Sequence, residues 1–160
     1  MSRKPRYVKR PFESSCSSSD TFASVYASMI SSEAWRSLTP RQRDLYVHMK
    51  SQFFGERRKP RSTETAIWDD LCFTFSEYKW KTMYQLYSDE RQFTRDRDAL
   101  IQKGLIDCVL TGKTRGAVNI YRYSSRWQKW TPGSTVDASV MSSSLLLALR
   151  QEKTIEHGNS

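Results

Sequence analysis

The sequence predicts a mainly α chain carrying a small β-hairpin, an α+β class, and three observations lead there. Apolar residues recur at helical spacing in successive stretches between residues 22 and 103. Two of those stretches are separated only by the turn Tyr87-Ser88-Asp89. Residues 105–110 and 118–123 then form apolar, β-branched runs on either side of a glycine-punctuated turn, the pattern of a hairpin.

From Phe22 to Leu38 the residues Phe22, Val25, Tyr26, Met29, Ile30, Ala34, Trp35 and Leu38 recur at spacings of three and four, the period of a helix face. One or two helices are expected there, with a break at Ser31-Ser32. Thr39-Pro40-Arg41-Gln42 reads as the start of another: Thr39 as N-cap, Pro40 at the first helical position, and Gln42 three residues after the cap to complete a capping box. That helix should run through Leu45, Tyr46, Met49 and Phe53 and stop at Gly55, because glycine tolerates the left-handed backbone that ends helices. Residues 56–66, basic at Arg57-Arg58-Lys59-Pro60-Arg61, should be a loop.

Ile67 to Leu71 is a short apolar segment, and Phe73-Thr74-Phe75 has the composition of a short strand. Ser76 then opens a helix through Trp80, Met83, Tyr84 and Leu86. The next helix, residues 88–103, places Phe93, Leu100 and Ile101 on its inner side and meets its stop at Gly104. Two helices joined by a short turn and followed by the hairpin Leu105–Tyr123 make a winged helix-turn-helix. Trp127 and Trp130 are expected to close the hairpin against the helices. Thr131-Pro132-Gly133-Ser134 breaks the chain, and residues 138–153 carry a further apolar stripe at Val140, Leu145, Leu146 and Leu149.

The chain divides into three segments: a flexible basic arm over 1–20, a winged-helix domain over 21–130, and over 131–160 a linker with a C-terminal helix or disordered tail. Residues 1–20 hold five basic and two acidic side chains, 21–130 hold 19 and 12, and 131–160 hold two and three. The net charge of +9 therefore sits on the core and the arm, which suits a polyanionic partner. Cys16, Cys72 and Cys108 are odd in number and widely spaced, which argues against a disulfide framework or a metal clamp. No apolar run reaches membrane-spanning length, and the basic start lacks a following apolar stretch. A cytoplasmic protein with no membrane partner is expected.

In a winged helix the second helix of the pair enters the major groove. With Phe93, Leu100 and Ile101 inward, Arg91, Gln92, Thr94, Arg95 and Asp98 fall on accessible sides. Arginine can fork onto guanine and glutamine onto adenine, so Gln92 and Arg95 are the expected base readers. Asp89, Glu90, Asp96 and Asp98 on the same helix oppose phosphate contact. The hairpin region is more one-sided: Lys103, Lys113, Arg115, Arg122, Arg126 and Lys129 stand against Asp107 alone. Lys113 and Arg115 occupy the tip, where a wing meets backbone or minor groove.

Other classes fit less well. Trp35, Trp68 and Trp80 lie within apolar stretches, which favours core packing over stacking on single-stranded bases. An enzyme needs convergent acids, bases, nucleophiles or metal ligands. His48 stands alone on its helix, Asp69-Asp70 has no partners at ligand spacing, and no phosphate-cradling GxxxxGK[ST] loop is present. No catalysis and no cofactor are expected.

The stretch Met29-Ile30-Ser31-Ser32-Glu33-Ala34-Trp35-Arg36-Ser37-Leu38-Thr39 is followed by Arg43-Asp44-Leu45-Tyr46 and Gln52-Phe53-Phe54-Gly55. Further on come Phe93-Thr94-Arg95-Asp96, Leu100, Lys103-Gly104-Leu105-Ile106 and Asn119-Ile120-Tyr121-Arg122-Tyr123-Ser124-Ser125-Arg126-Trp127. Across residues 22–130 these motifs resemble small winged-helix proteins of plasmids, prophages and conjugative elements of Gram-positive bacteria, similar to replication initiators and replisome organisers. The resemblance implies sequence-specific binding of double-stranded DNA in replication or maintenance of a mobile genetic element, commonly as a homodimer or larger assembly. Two alternatives stay open: a transcriptional repressor on the same fold, and a protein-interaction module recruiting a replication or transfer partner.

Overall fold

A computed structural model describes residues 22–53, 59–112 and 118–134. The arm over 1–20, the hairpin tip with Lys113 and Arg115, the stop at Gly55 and the stripe over 138–153 lie outside the described residues.

The first apolar stretch forms two single-turn helices, α1 (Ala27–Ile30) and α2 (Glu33–Arg36), broken at Ser31-Ser32 as expected. Ser32 makes the break by serving both sides: its hydroxyl donates to the Met29 carbonyl at 2.6 Å and accepts from the Trp35 amide at 3.2 Å. A hydroxyl that satisfies orphan groups of two helices favours ending one and starting the next. Met29, Ala34, Trp35 and Leu38 are buried, whereas Phe22, Tyr26 and Ile30 remain exposed.

The helix α3 (Pro40–Ser51) opens on the expected capping box. Thr39 Oγ1 accepts from the Gln42 amide at 3.3 Å and Gln42 Oε1 accepts from the Thr39 amide at 3.0 Å, so two orphan donors are satisfied reciprocally. Leu45, Tyr46 and Met49 form its buried stripe. It ends at Ser51, where the Ser51 hydroxyl and the Gln52 side-chain amide both donate to the His48 carbonyl, at 2.6 and 3.1 Å.

The strand β1 (Cys72–Thr74) leads into a π-helical stretch, Tyr78–Met83, where the sequence predicts an ordinary helix from Ser76. The amide of Tyr84 reaches back five residues to the Lys79 carbonyl at 2.9 Å, and Gln85 then takes a left-handed φ of 51°. Trp80 stays buried through this wider turn and stacks on Phe93 with ring centroids 4.8 Å apart.

The helix α4 (Glu90–Gln102) is capped by Asp89, whose carboxylate accepts from the Arg91 amide at 3.1 Å. At its other end the amides of Gly104 and Leu105 return to the carbonyls of Ile101 and Leu100, each at 3.0 Å. This paired closure needs a left-handed residue at Gly104, whose φ is 77°. A Cβ there would sit 2.7 Å from backbone atoms of Arg126 and Trp127, so space and conformation both require glycine.

The strands β2 (Ile106–Leu110) and β3 (Ile120–Tyr123) pair antiparallel, and β1 joins the free edge of β3, giving the order β1-β3-β2. The sheet is covered on both faces. Phe73, Ile106, Tyr121 and Tyr123 join the main core with the helices, and Phe73 stacks on Tyr123 at 4.4 Å. Cys72, Val109 and Ile120, on the opposite face by strand alternation, pack under Ile67 and Trp68 from the segment before β1. A closing 3₁₀ turn, Arg126–Lys129, buries Trp127 in the main core. The fold is thus α+β with a small three-stranded antiparallel sheet, an order of elements compatible with a winged helix.

Candidate nucleic-acid interface

Three apolar residues set the orientation of α4. Phe93, Leu100 and Ile101 are buried, and at 100° per residue that turns Arg91, Arg95, Asp98 and Gln102 to the far side. Arg91 and Arg95 are exposed. With Glu90, Thr94 and Asp98 they line a shallow groove along the helix surface. Thr94 also borders a second cleft of about 390 Å³, bounded by the Phe75–Trp80 segment and by Gly112, Val118 and Asn119 of the hairpin.

The acids of α4 are handled unequally. Asp96 is only 3% exposed. Arg41 Nε donates to its carboxylate at 2.9 Å, Gln42 Nε2 at 3.1 Å and the Tyr87 hydroxyl at 2.9 Å. A buried carboxylate with one cation and two further donors is charge-balanced, so it adds no repulsion to the outer face. Burial first, and then the neighbouring Asp96 carboxylate, push the Tyr87 hydroxyl far above the usual phenol range, keeping it a donor. Asp98 is paired with Arg97, whose Nη2 and Nε donate at 2.8 and 3.0 Å. Asp89, the cap, and Glu90 keep their negative charges, so the outward charges of the first two turns are Arg91 and Arg95 against Asp89 and Glu90.

Gln92 lies on the flank of α4 that faces α3. Its Oε1 accepts from Arg41 Nη1 at 3.2 Å, and the Arg41 guanidinium lies 5.3 Å from the Tyr87 ring centroid. Periodicity along the chain identifies neither Arg41 nor the buried role of Asp96. One signal for Asp96 is present: it falls between Phe93 and Leu100 on the inward stripe, where an acid needs a partner. Nothing local points to Arg41, 55 residues away.

The remaining sequence-derived cations have other occupations. Lys103, at the far end of α4, donates from Nζ to the Ser37 carbonyl at 2.8 Å and lies 5.9 Å from the Trp130 ring, and burial lowers its pKa. Arg122 projects from the outer face of β3 and donates from Nε to Asp69 at 2.7 Å. Arg126 is turned inward: it is paired with Asp107 and donates from Nη2 to the carbonyl of Ile101 at 3.1 Å. Arg91, Thr94 and Arg95 thus share the outer groove of α4, Gln92 lies on its α3 flank, and Lys103, Arg122 and Arg126 stand apart from them.

Among the described residues no three potential metal ligands converge, and no helix is long and apolar enough to cross a membrane. Burial pushes the Cys72 thiol up to about 11, so it stays protonated and poorly nucleophilic near neutral pH. His48 packs against Tyr84 with ring centroids 4.8 Å apart, and burial lowers its pKa despite Asp44 at 3.5 Å. Tyr121 and Tyr123 are core residues, the latter donating to the Met49 carbonyl at 2.8 Å. No family model, curated protein or solved structure matches the chain.

Proposed function

We propose that this chain is a non-catalytic, winged-helix protein that binds double-stranded DNA through α4 and the adjoining hairpin. One observation carries the reading: the outer front of α4 offers Arg91 and Arg95 while the Asp96 and Asp98 carboxylates are neutralised by Arg41 and Arg97. A helix whose inner face is locked to a core and whose outer face presents arginines and polar groups suits the major groove. The hairpin beside it adds Lys113 and Arg115 to the proposed phosphate contacts. The role proposed for this binding is replication or maintenance of a mobile genetic element, supported by the motif resemblance across residues 22–130. A transcriptional repressor would use the same interface, and the position of bound sites, at origin repeats or over promoters, separates the two.

The test is fluorescence anisotropy of the full chain with labelled duplex pools across a salt series. Binding at low salt should weaken steadily as salt rises, because each neutralised phosphate releases counterions. Arg91→Glu with Arg95→Glu should abolish it while thermal melting stays cooperative. Absence of duplex binding at low salt rejects the reading.

A protein contact in addition to DNA is favoured by a separate feature. Phe22, Tyr26 and Ile30 are spaced by four residues and are 57%, 66% and 49% exposed. Tyr26→Ala with Ile30→Ala should then disrupt self-association or partner recruitment and leave duplex affinity unchanged.

A further inference from the structure

We propose that Arg41 and Gln92 together form a donor-only edge on the first turn of α4 that selects guanine in the major groove; the inference rests on the duplex-DNA reading above. A glutamine amide can ordinarily be placed in either of two flips. Here its neighbour decides. A guanidinium carries donors and no acceptor, so the atom of Gln92 that faces Arg41 Nη1 at 3.2 Å is the carbonyl oxygen. The amide nitrogen, a donor twice over, occupies the other arm of the group.

Arg41 is itself held from behind. Its Nε is fixed on the buried Asp96 at 2.9 Å and its plane lies near Tyr87, yet half of its side chain, 49%, is exposed. Its Nη2 meets no acceptor among the described residues. The two groups left for a ligand, Arg41 Nη2 and Gln92 Nε2, are therefore both donors. Their positions are set from outside α4, by the first turn of α3.

That arrangement changes which base fits. A glutamine free to turn pairs with adenine, accepting from N6 and donating to N7. With Oε1 directed at a guanidinium, an adenine amino group would bring another positive dipole end against Arg41. Guanine presents two acceptors, N7 and O6, and meets the donor pair without that conflict. The guanine preference thus replaces the adenine preference expected for an unconstrained Gln92.

Selection of bound sequences from a randomised duplex pool tests this on the full chain and three variants. The unsubstituted chain should fix guanine at one position, and Gln92→Ala should lower that preference about tenfold, a typical value for one base contact, with other positions kept. Gln92→Glu, which retains an acceptor for Arg41 but removes the donor, should lose guanine equally. Arg41→Lys keeps a cation near Asp96 while releasing the amide, and should admit adenine at the same position. Thermal melting confirms that each variant folds. The inference is overturned if Gln92→Ala leaves every position unchanged, or if the Gln92-sensitive position is adenine in the unsubstituted chain. If no duplex sequence is retained at all, the DNA reading itself falls and takes this one with it.

Discussion

The two flanks of α4 are built differently. On the α3 side, Arg41, Gln42, Tyr87 and Gln92 converge on or around Asp96 in a bonded cluster. On the hairpin side a cleft of about 390 Å³ separates Thr94 and Arg97 from Val118 and Asn119. One edge of the helix is clamped, and the other borders a cleft lined by Arg97 and by Tyr121 of β3. A buried, satisfied polar cluster resists rearrangement because any departure leaves a carboxylate without donors in a low-dielectric site. An open cleft has no such penalty. The α3 flank therefore fixes where α4 points, and the hairpin flank leaves accessible space beside it.

The comparison is broken most severely by removing what both flanks rest on. Phe93 is 5% exposed, stacks on Trp80 at 4.8 Å, and meets Tyr87 edge-on at 5.8 Å. Phe93→Ala should cost about 4 kcal/mol, the range for a large core aromatic, read as a drop in the urea midpoint with little change in slope. Arg41→Ala should cost about 2 kcal/mol, below the full value for a buried ion pair because half of the arginine is solvated. A double-mutant cycle with Gln92→Ala measures how much of that loss passes through the Gln92 contact. On the open flank, Asn119 accepts from the Gly112 amide at 2.9 Å and donates to the Tyr121 hydroxyl at 3.1 Å. Asn119→Ala should cost only about 1 kcal/mol, the net worth of ordinary hydrogen bonds, seen in the same denaturation experiment. An Asn119→Ala loss equal to that of Arg41→Ala would show the two flanks to be equally rigid and remove the distinction.

How much the chain discloses by itself depends on the range of the interactions involved. The α3 capping box joins residues three apart, the Gly104 closure spans one helical turn, and the hairpin pairs neighbouring runs. Each is readable because cause and effect share a short window. The pairing of β1 with β3 links residues 72–74 to 120–122, and no local pattern encodes that partner. The π-helical stretch at Tyr78–Met83 is also hidden, since its apolar spacing differs little from that of an ordinary helix. In the candidate site, periodicity alone leaves Arg91, Gln92, Thr94 and Arg95 on accessible sides of α4. It does not give their electrostatic setting, because Asp96 is neutralised by a residue on another helix and Asp98 by its own neighbour. Lys103 and Arg126 look like free cations in the sequence for the same reason: their acceptors, the Ser37 and Ile101 carbonyls, are 66 and 25 residues away.

The inward turn of Arg126 also decides where this folding unit stops. Its guanidinium gathers the Ile101 carbonyl of α4 and the Asp107 carboxylate of β2, while Trp127 beside it fills the core next to Gly104. A fragment ended at Tyr123 would keep every strand yet leave Asp107 buried without its cation and the last turn of α4 uncovered. The smallest self-sufficient piece must extend past the hairpin to the Arg126–Lys129 turn, so that short segment belongs to the body of the protein and is no mere tether to the C-terminal residues.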